Sequence, residues 1–126
     1  MVMEVTKENF NEVIENNDIV IVDFWAPWCG PCRTFAPIFE KAAGANPEAA
    51  FVKINTEEEQ ELAAHFQIRS IPTLMVFREQ VLLFAQPGVL PEATLTKLLT
   101  EVKALDMEKV HKEIAEEEAK AATASK

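Results

Sequence analysis

Asp23-Phe24-Trp25-Ala26-Pro27-Trp28-Cys29-Gly30-Pro31-Cys32 decides how the rest of the chain is read. It joins an apolar run, Ile19 to Ala26, to the only two cysteines in the sequence, which stand three positions apart. A nearly unbroken apolar run of this length reads as a parallel strand covered on both faces. A thiol pair at this spacing can close a small ring if the first cysteine lies just before a helix and the second inside its first turn. There, unpaired backbone N–H groups and the positive end of the helix dipole favour a thiolate on Cys29. Pro31 suits the first turn, because a proline there has no hydrogen bond to lose and its φ is already helical. Gly30 leaves room for another backbone to come close. The stretch reads as a redox site. Cys29 is the attacking sulfur, expected to be the more exposed of the pair, and Cys32 is the deeper, resolving thiol.

Outward from this centre, the apolar periodicity alternates between strands and helices. Met3 to Thr6 reads as an edge strand with Thr6 capping a helix that buries Phe10, Val13 and Ile14. The helix after Cys29 should carry Phe35, Ile38, Phe39 and Ala42 inward, bend at Pro37 and stop at Gly44. Ala50 to Asn55 is a second buried strand, and Thr56 with Glu57-Glu58-Glu59 marks the start of a helix burying Leu62, Ala63 and Phe66. Thr73 to Phe77 and Val81 to Ala85 form a hairpin whose turn, Arg78-Glu79-Gln80, lacks the glycine such turns usually recruit. A last helix begins near Pro91 and buries Leu95, Leu98, Leu99 and Val102. This order predicts a mixed sheet with helices on both faces.

Residues 107–126 contain no glycine or proline and five alanines, with charge pairs at helical spacing in Glu108 with Lys112 and Glu116 with Lys120. Met107, Val110 and Ile114 form a short apolar stripe. The last helix is therefore expected to run on through about Ile114 and fray beyond it.

The 126 residues, 48% of them hydrophobic, suit one compact domain. A formal net charge of −9 argues against a nucleic-acid surface and against binding to anionic lipid. Met1-Val2-Met3-Glu4-Val5 has neither the basic start nor the long apolar core of a secretory leader, and no apolar segment approaches a membrane span. The expected compartment is the cytoplasm, where a thiol pair is catalytic more often than structural. His65 and His111 have no cysteine or second histidine at ligand spacing, so no metal is expected.

Asp23 is the one charge in the first apolar strand. A carboxylate there either loses solvation, which raises its pKa towards neutrality and makes it a base for Cys32, or it lies at a wet strand end. Lys53, in the second strand, reads alone as a surface lysine. Gly88 alone reads as a turn glycine after Pro87.

Trp28-Cys29-Gly30-Pro31-Cys32 preceded by Val22-Asp23-Phe24-Trp25-Ala26 resembles the active site of the thioredoxin family, and the likeness continues at Ile71-Pro72-Thr73 and Gly88. It covers residues 4 to about 105. The resemblance implies an α/β protein with the thioredoxin fold, a mixed central sheet of about five strands flanked by about four helices. On that division residues 1–106 are the thioredoxin domain and residues 107–126 a helical or partly disordered extension. It implies that Asp23 lies beneath Cys32 as its proton acceptor and donor, with Lys53 as its partner. It implies that Pro72 is cis, that Ile71 pairs through its backbone with an extended substrate, that Gly88 and Val89 form the opposite wall, and that Trp28 forms the lip. The activity implied is reduction of protein disulfides without any cofactor beyond the redox-active Cys29–Cys32 disulfide. Implied partners are a thioredoxin reductase or equivalent electron donor and disulfide-containing clients, with the chain a monomer or weak homodimer. A rival reading is a binding or chaperone module on the same fold, working through the extension. Ser70, where many relatives carry glycine, and the glycine-free hairpin are departures from the family pattern.

Overall fold

Alternation along one strand organises the layers on both sides of the sheet. The computed structural model describes residues 1–124; Ser125 and Lys126, the end of the expected extension, lie outside the described residues. In chain order the elements are β1 (Val2–Glu4), α1 (Phe10–Asn16), β2 (Ile19–Trp25), α2 (Gly30–Ala45), β3 (Ala50–Asn55), α3 (Gln60–His65), β4 (Thr73–Arg78), β5 (Val81–Pro87), α4 (Glu92–Ala104) and α5 (Met107–Ala124). The sheet order is β1-β3-β2-β4-β5. β3 is parallel to β1 and β2, while β4 runs antiparallel to β2 and to β5.

β2 is central, and its side chains divide by parity. Ile19 and Ile21 pack on one face with Phe35, Phe39, Leu95 and Leu99, from α2 and α4. Val20, Val22 and Phe24 pack on the other with Phe10, Val13 and Leu62, from α1 and α3. Each large side chain buried in this way contributes about 1.5–3 kcal/mol relative to exposure. Asp23 shares the face of Ile21, set in register between Lys53 of β3 and Leu74 of β4. The strand therefore delivers one carboxylate into the α2–α4 side of the core, just before the cysteine loop.

Several local expectations give way to other residues. Thr6 does not cap α1 with its hydroxyl; instead Asn9 Oδ1 accepts the Thr6 N–H at 2.8 Å, closing the turn from the other side. Thr56 does not cap α3 either: its hydroxyl donates to the Trp25 carbonyl at 3.1 Å, and Asn55 Oδ1 accepts the Glu57 N–H at 2.9 Å. Gly44 is an interior residue of α2, which ends one residue later, where Asn46 Nδ2 donates to the Ala42 carbonyl at 2.8 Å. α2 is continuous through Pro37.

The end of the chain also differs from expectation. α4 and α5 are separate helices, because Leu105 is extended, with ψ of 141°, and Asp106 Oδ1 accepts the Lys109 N–H at 3.2 Å. α5 then continues to Ala124 and does not fray at Ile114. Nothing in its sequence breaks it: it has good helix formers throughout and no glycine or proline. Met107 is buried and Val110 and Ile114 are half-buried, so the stripe lies against the body. His111 Nε2 meets Glu79 Oε1 of the hairpin turn at 2.9 Å. Among the described residues the pairs Glu108 with Lys112 and Glu116 with Lys120 do not form; Lys120 lies instead 4.0 Å from Glu117.

Candidate active site

The site is built where β2 ends and α2 begins. Cys29 is the residue before α2, and its Sγ accepts the Cys32 backbone N–H at 3.2 Å. That is the hydrogen bond a capping side chain makes, here given to sulfur, and it directs the positive end of α2 at Cys29. Pro31 sits in the first helical turn. Cys29 and Cys32 are joined as a disulfide, with their Cα atoms 5.2 Å apart. Gly30 is exposed, and a Cβ there would meet only the end of the Arg33 side chain, at 4.0 Å.

Exposure does not separate the two cysteines, contrary to expectation. In this oxidised form both are buried, each 4% exposed, under Ala26, Trp25 and Ile71. The difference between them is electrostatic: Cys29 Sγ receives the helix-start N–H, whereas Cys32 lies within the turn.

The Ile71–Pro72 peptide is cis. The Ile71 carbonyl oxygen lies 3.7 Å from Cys29 Sγ, and the Pro72 carbonyl accepts the Gly88 N–H at 2.8 Å. These contacts bring three distant segments together at the end of the sheet. Gly88 has φ of +99°, a conformation that side chains rarely adopt, and this backbone requirement explains the glycine. Beside it Val89 is exposed. Trp28 is 64% exposed, and its indole N–H donates to Glu57 Oε1. The result is an exposed apolar rim around a disulfide held near the surface.

Asp23 is 1% exposed, and neither carboxylate oxygen has a hydrogen-bond partner among the described residues. Burial raises its pKa to about 7, against a smaller lowering by the Lys53 charge. Lys53 lies beside Asp23 in strand register but forms no ion pair with it among the described residues; its Nζ sits 4.3 Å from the centroid of the Trp25 ring. Lys53 acts on Asp23 through space. The sequence reading gives neither Trp25 nor Glu57 a part of its own in the site. Trp25 is detectable in principle, since it lies two residues after Asp23 and so on the same face of β2. Glu57 carries no such signal, because its contact with Trp28 spans 29 residues.

Chemically, the arrangement passes two electrons between its own cysteine pair and a disulfide outside it, which defines a dithiol–disulfide oxidoreductase. The family model described as Thioredoxin matches residues 1–101. A thioredoxin 2 relative from Streptomyces coelicolor is 55% identical over 119 residues, covering 94% of this chain and 89% of its own. The thioredoxin of Pyropia yezoensis is 45% identical over 100 residues, covering 78% of this chain and 94% of its own. Among solved structures, a single-site mutant of the thioredoxin from Halobacterium salinarum superposes with a TM-score of 0.78 at 32% identity, covering 83% of this chain and 93% of its own. The chain belongs to the thioredoxin family. A match of 119 residues cannot end where the family model does, so the Streptomyces relative also shares part of the segment after α4.

Proposed function

We propose that this protein reduces disulfides in client proteins by two-step exchange, with Cys29 attacking and Cys32 resolving. The Cys29 thiolate attacks one sulfur of a client disulfide, forming a mixed disulfide and releasing a client thiolate. Cys32 then passes its proton to Asp23 and attacks Cys29 Sγ, which regenerates the internal disulfide and frees the second client thiol. Two electrons leave the protein in each cycle. A thioredoxin reductase or an equivalent donor returns them with two protons, and no other cofactor takes part.

The observation that carries this reading is the 3.2 Å hydrogen bond from the Cys32 N–H to Cys29 Sγ at the start of α2. It stabilises negative charge on the sulfur assigned as nucleophile. Asp23 is suited to the second step because an acid of pKa about 7 both accepts and returns a proton near neutral pH. Ile71 offers its backbone to an extended client segment beside Pro72, Gly88 with Val89 forms the facing wall, and Trp28 the lip. Backbone pairing of this kind accepts many sequences.

The working form is the dithiol, so the protein serves electron transfer and redox homeostasis in the cytoplasm. A net charge of −9 disfavours nucleic acid and anionic membrane as partners. Residues 1–106 form the catalytic unit and residues 107–126 an extension the chemistry does not need, in a monomer or weak homodimer.

The roles of the two sulfurs are tested by trapping. Cys32→Ser should accumulate a covalent adduct with a disulfide client, visible by mass spectrometry, whereas Cys29→Ser should form none and lose all exchange. An adduct on Cys29→Ser but not on Cys32→Ser would reverse the assignment.

A further inference from the structure

β2 sets Asp23 and Trp25 two residues apart on one face, and β3 sets Lys53 beside Asp23 in parallel register. A strand lysine in that place commonly turns its ammonium to solvent. It also has an acidic neighbour to pair with, since β1 places Glu4 beside it in register. Among the described residues Lys53 forms no ion pair with Glu4. Its ammonium lies over the Trp25 ring, 4.3 Å from the centroid and well within cation–π range, and its side chain is half-buried. The ring cannot easily move away. It packs with Ile71 on the cluster of Ala26, Cys29 and Cys32, and the Trp25 carbonyl is held by the Thr56 N–H at 2.8 Å and hydroxyl at 3.1 Å.

We propose that Trp25 is a positioning residue: its ring keeps the Lys53 ammonium beside buried Asp23, near enough to act on the carboxylate, where a free strand lysine would turn to solvent. The inference rests on the reading of Asp23 as proton acceptor for Cys32. A direct ion pair would keep Asp23 ionised and make it a weak base, while an ammonium released to solvent would leave Asp23 protonated at neutral pH. The ring keeps the charge from the second course, so its loss raises the Asp23 midpoint. Lys53 is the one charged group that bears on Asp23 from its neighbouring strands, because β4 supplies Leu74 in register. The helices over this face contribute Phe35, Phe39, Leu95 and Leu99, and Cys29 and Cys32 at the start of α2 are joined as a disulfide, which does not titrate.

The test is a carboxyl-carbon NMR titration of Asp23 in the oxidised protein, which keeps the thiols out of the titration. Trp25→Leu should raise the Asp23 midpoint by about half a pH unit or more, and Trp25→Phe, which keeps an aromatic face, by less. In a Lys53→Met background the same Trp25 substitutions should leave the midpoint unchanged, because the charge they act through is gone. An equal shift in both backgrounds, a fall in the midpoint, or no shift at all overturns the proposal. A measurement on the unaltered protein covers the case in which Trp25→Leu does not fold. The Lys53 ε-methylene protons should be shifted upfield by the ring, and ordinary lysine shifts overturn the proposal. Failure of the Asp23 reading is separately visible, as an Asp23→Asn protein whose resolution step is unimpaired whatever the titration shows.

Discussion

Asp23 lies in an apolar face without a hydrogen-bond partner among the described residues, an environment that disfavours its charged form. Its pKa is raised from 3.8 to about 7, with burial the main cause and Lys53 opposing it. For an acid whose folded pKa is raised, the folded state holds the proton over a pH range where the unfolded state has released it. Stability is therefore greatest below about pH 4 with respect to this group, declines between pH 4 and 7, and stays reduced above. Asp23→Asn should remove that decline and stabilise the protein above pH 7, by on the order of 4 kcal/mol at most. Denaturant midpoints measured across pH check the sign; a variant that is less stable at pH 8 contradicts it. The same change should slow resolution more than initial attack, and equal loss in both steps removes Asp23 from the mechanism. The two cysteines were legible in the sequence because their chemistry is local: spacing, a first-turn proline and a preceding strand are all contiguous. The Lys53–Trp25 contact was not, because it depends on the register between two strands, which no neighbouring residue specifies.

At the level of elements, the apolar stripes of α1, α2 and α4 and the bounds of β3 were readable, since burial follows periodicity. Caps and terminators were misassigned to Thr6, Gly44 and Thr56. In each case a nearby asparagine made the local hydrogen bond, and several candidate residues within three positions compete equally in sequence. The hairpin is a sharper instance. Its two-residue loop places Glu79 at φ 50° and Gln80 at φ 68°, the left-handed conformation such turns need and glycine or asparagine usually supplies. Tertiary contacts hold the turn without them: the Glu79 N–H donates to the Asp18 carbonyl at 2.8 Å, and its carboxylate meets His111. Gln80→Gly should relieve the strain and raise stability by about 1 kcal/mol, with activity unchanged. Thermal melts check this, and destabilisation would show that the Gln80 side chain makes a contribution larger than its backbone cost. Arg78, read from the sequence only as a turn residue, donates from Nη1 to the carbonyls of Val102, Lys103 and Leu105 at 2.9, 3.3 and 3.1 Å. It thereby closes the end of α4 that no glycine terminates.

For the molecule as a whole, the sequence order of strands and helices was enough to foresee a mixed sheet covered on both faces. The segment after α4 was harder, because a sequence of good helix formers shows where a helix is possible and not where a neighbouring helix must stop. Deleting residues 107–126 should leave disulfide reduction intact, lower the helical circular dichroism signal, and cost roughly 1–3 kcal/mol of stability through loss of buried Met107 and its half-buried neighbours. A folded, shortened protein without activity would instead make the extension part of the catalytic or partner-binding apparatus. The central claim, that this thioredoxin-family chain turns over protein disulfides through Cys29, is tested most directly by catalysis itself. Catalytic amounts of the protein are added to a disulfide-linked model protein with a small dithiol as recycling reductant, and thiol release is followed in time. The account predicts many turnovers per molecule, far above the reductant alone and absent in Cys29→Ser. A folded protein that gives no acceleration over the reductant alone would contradict it and favour a binding module on the same fold.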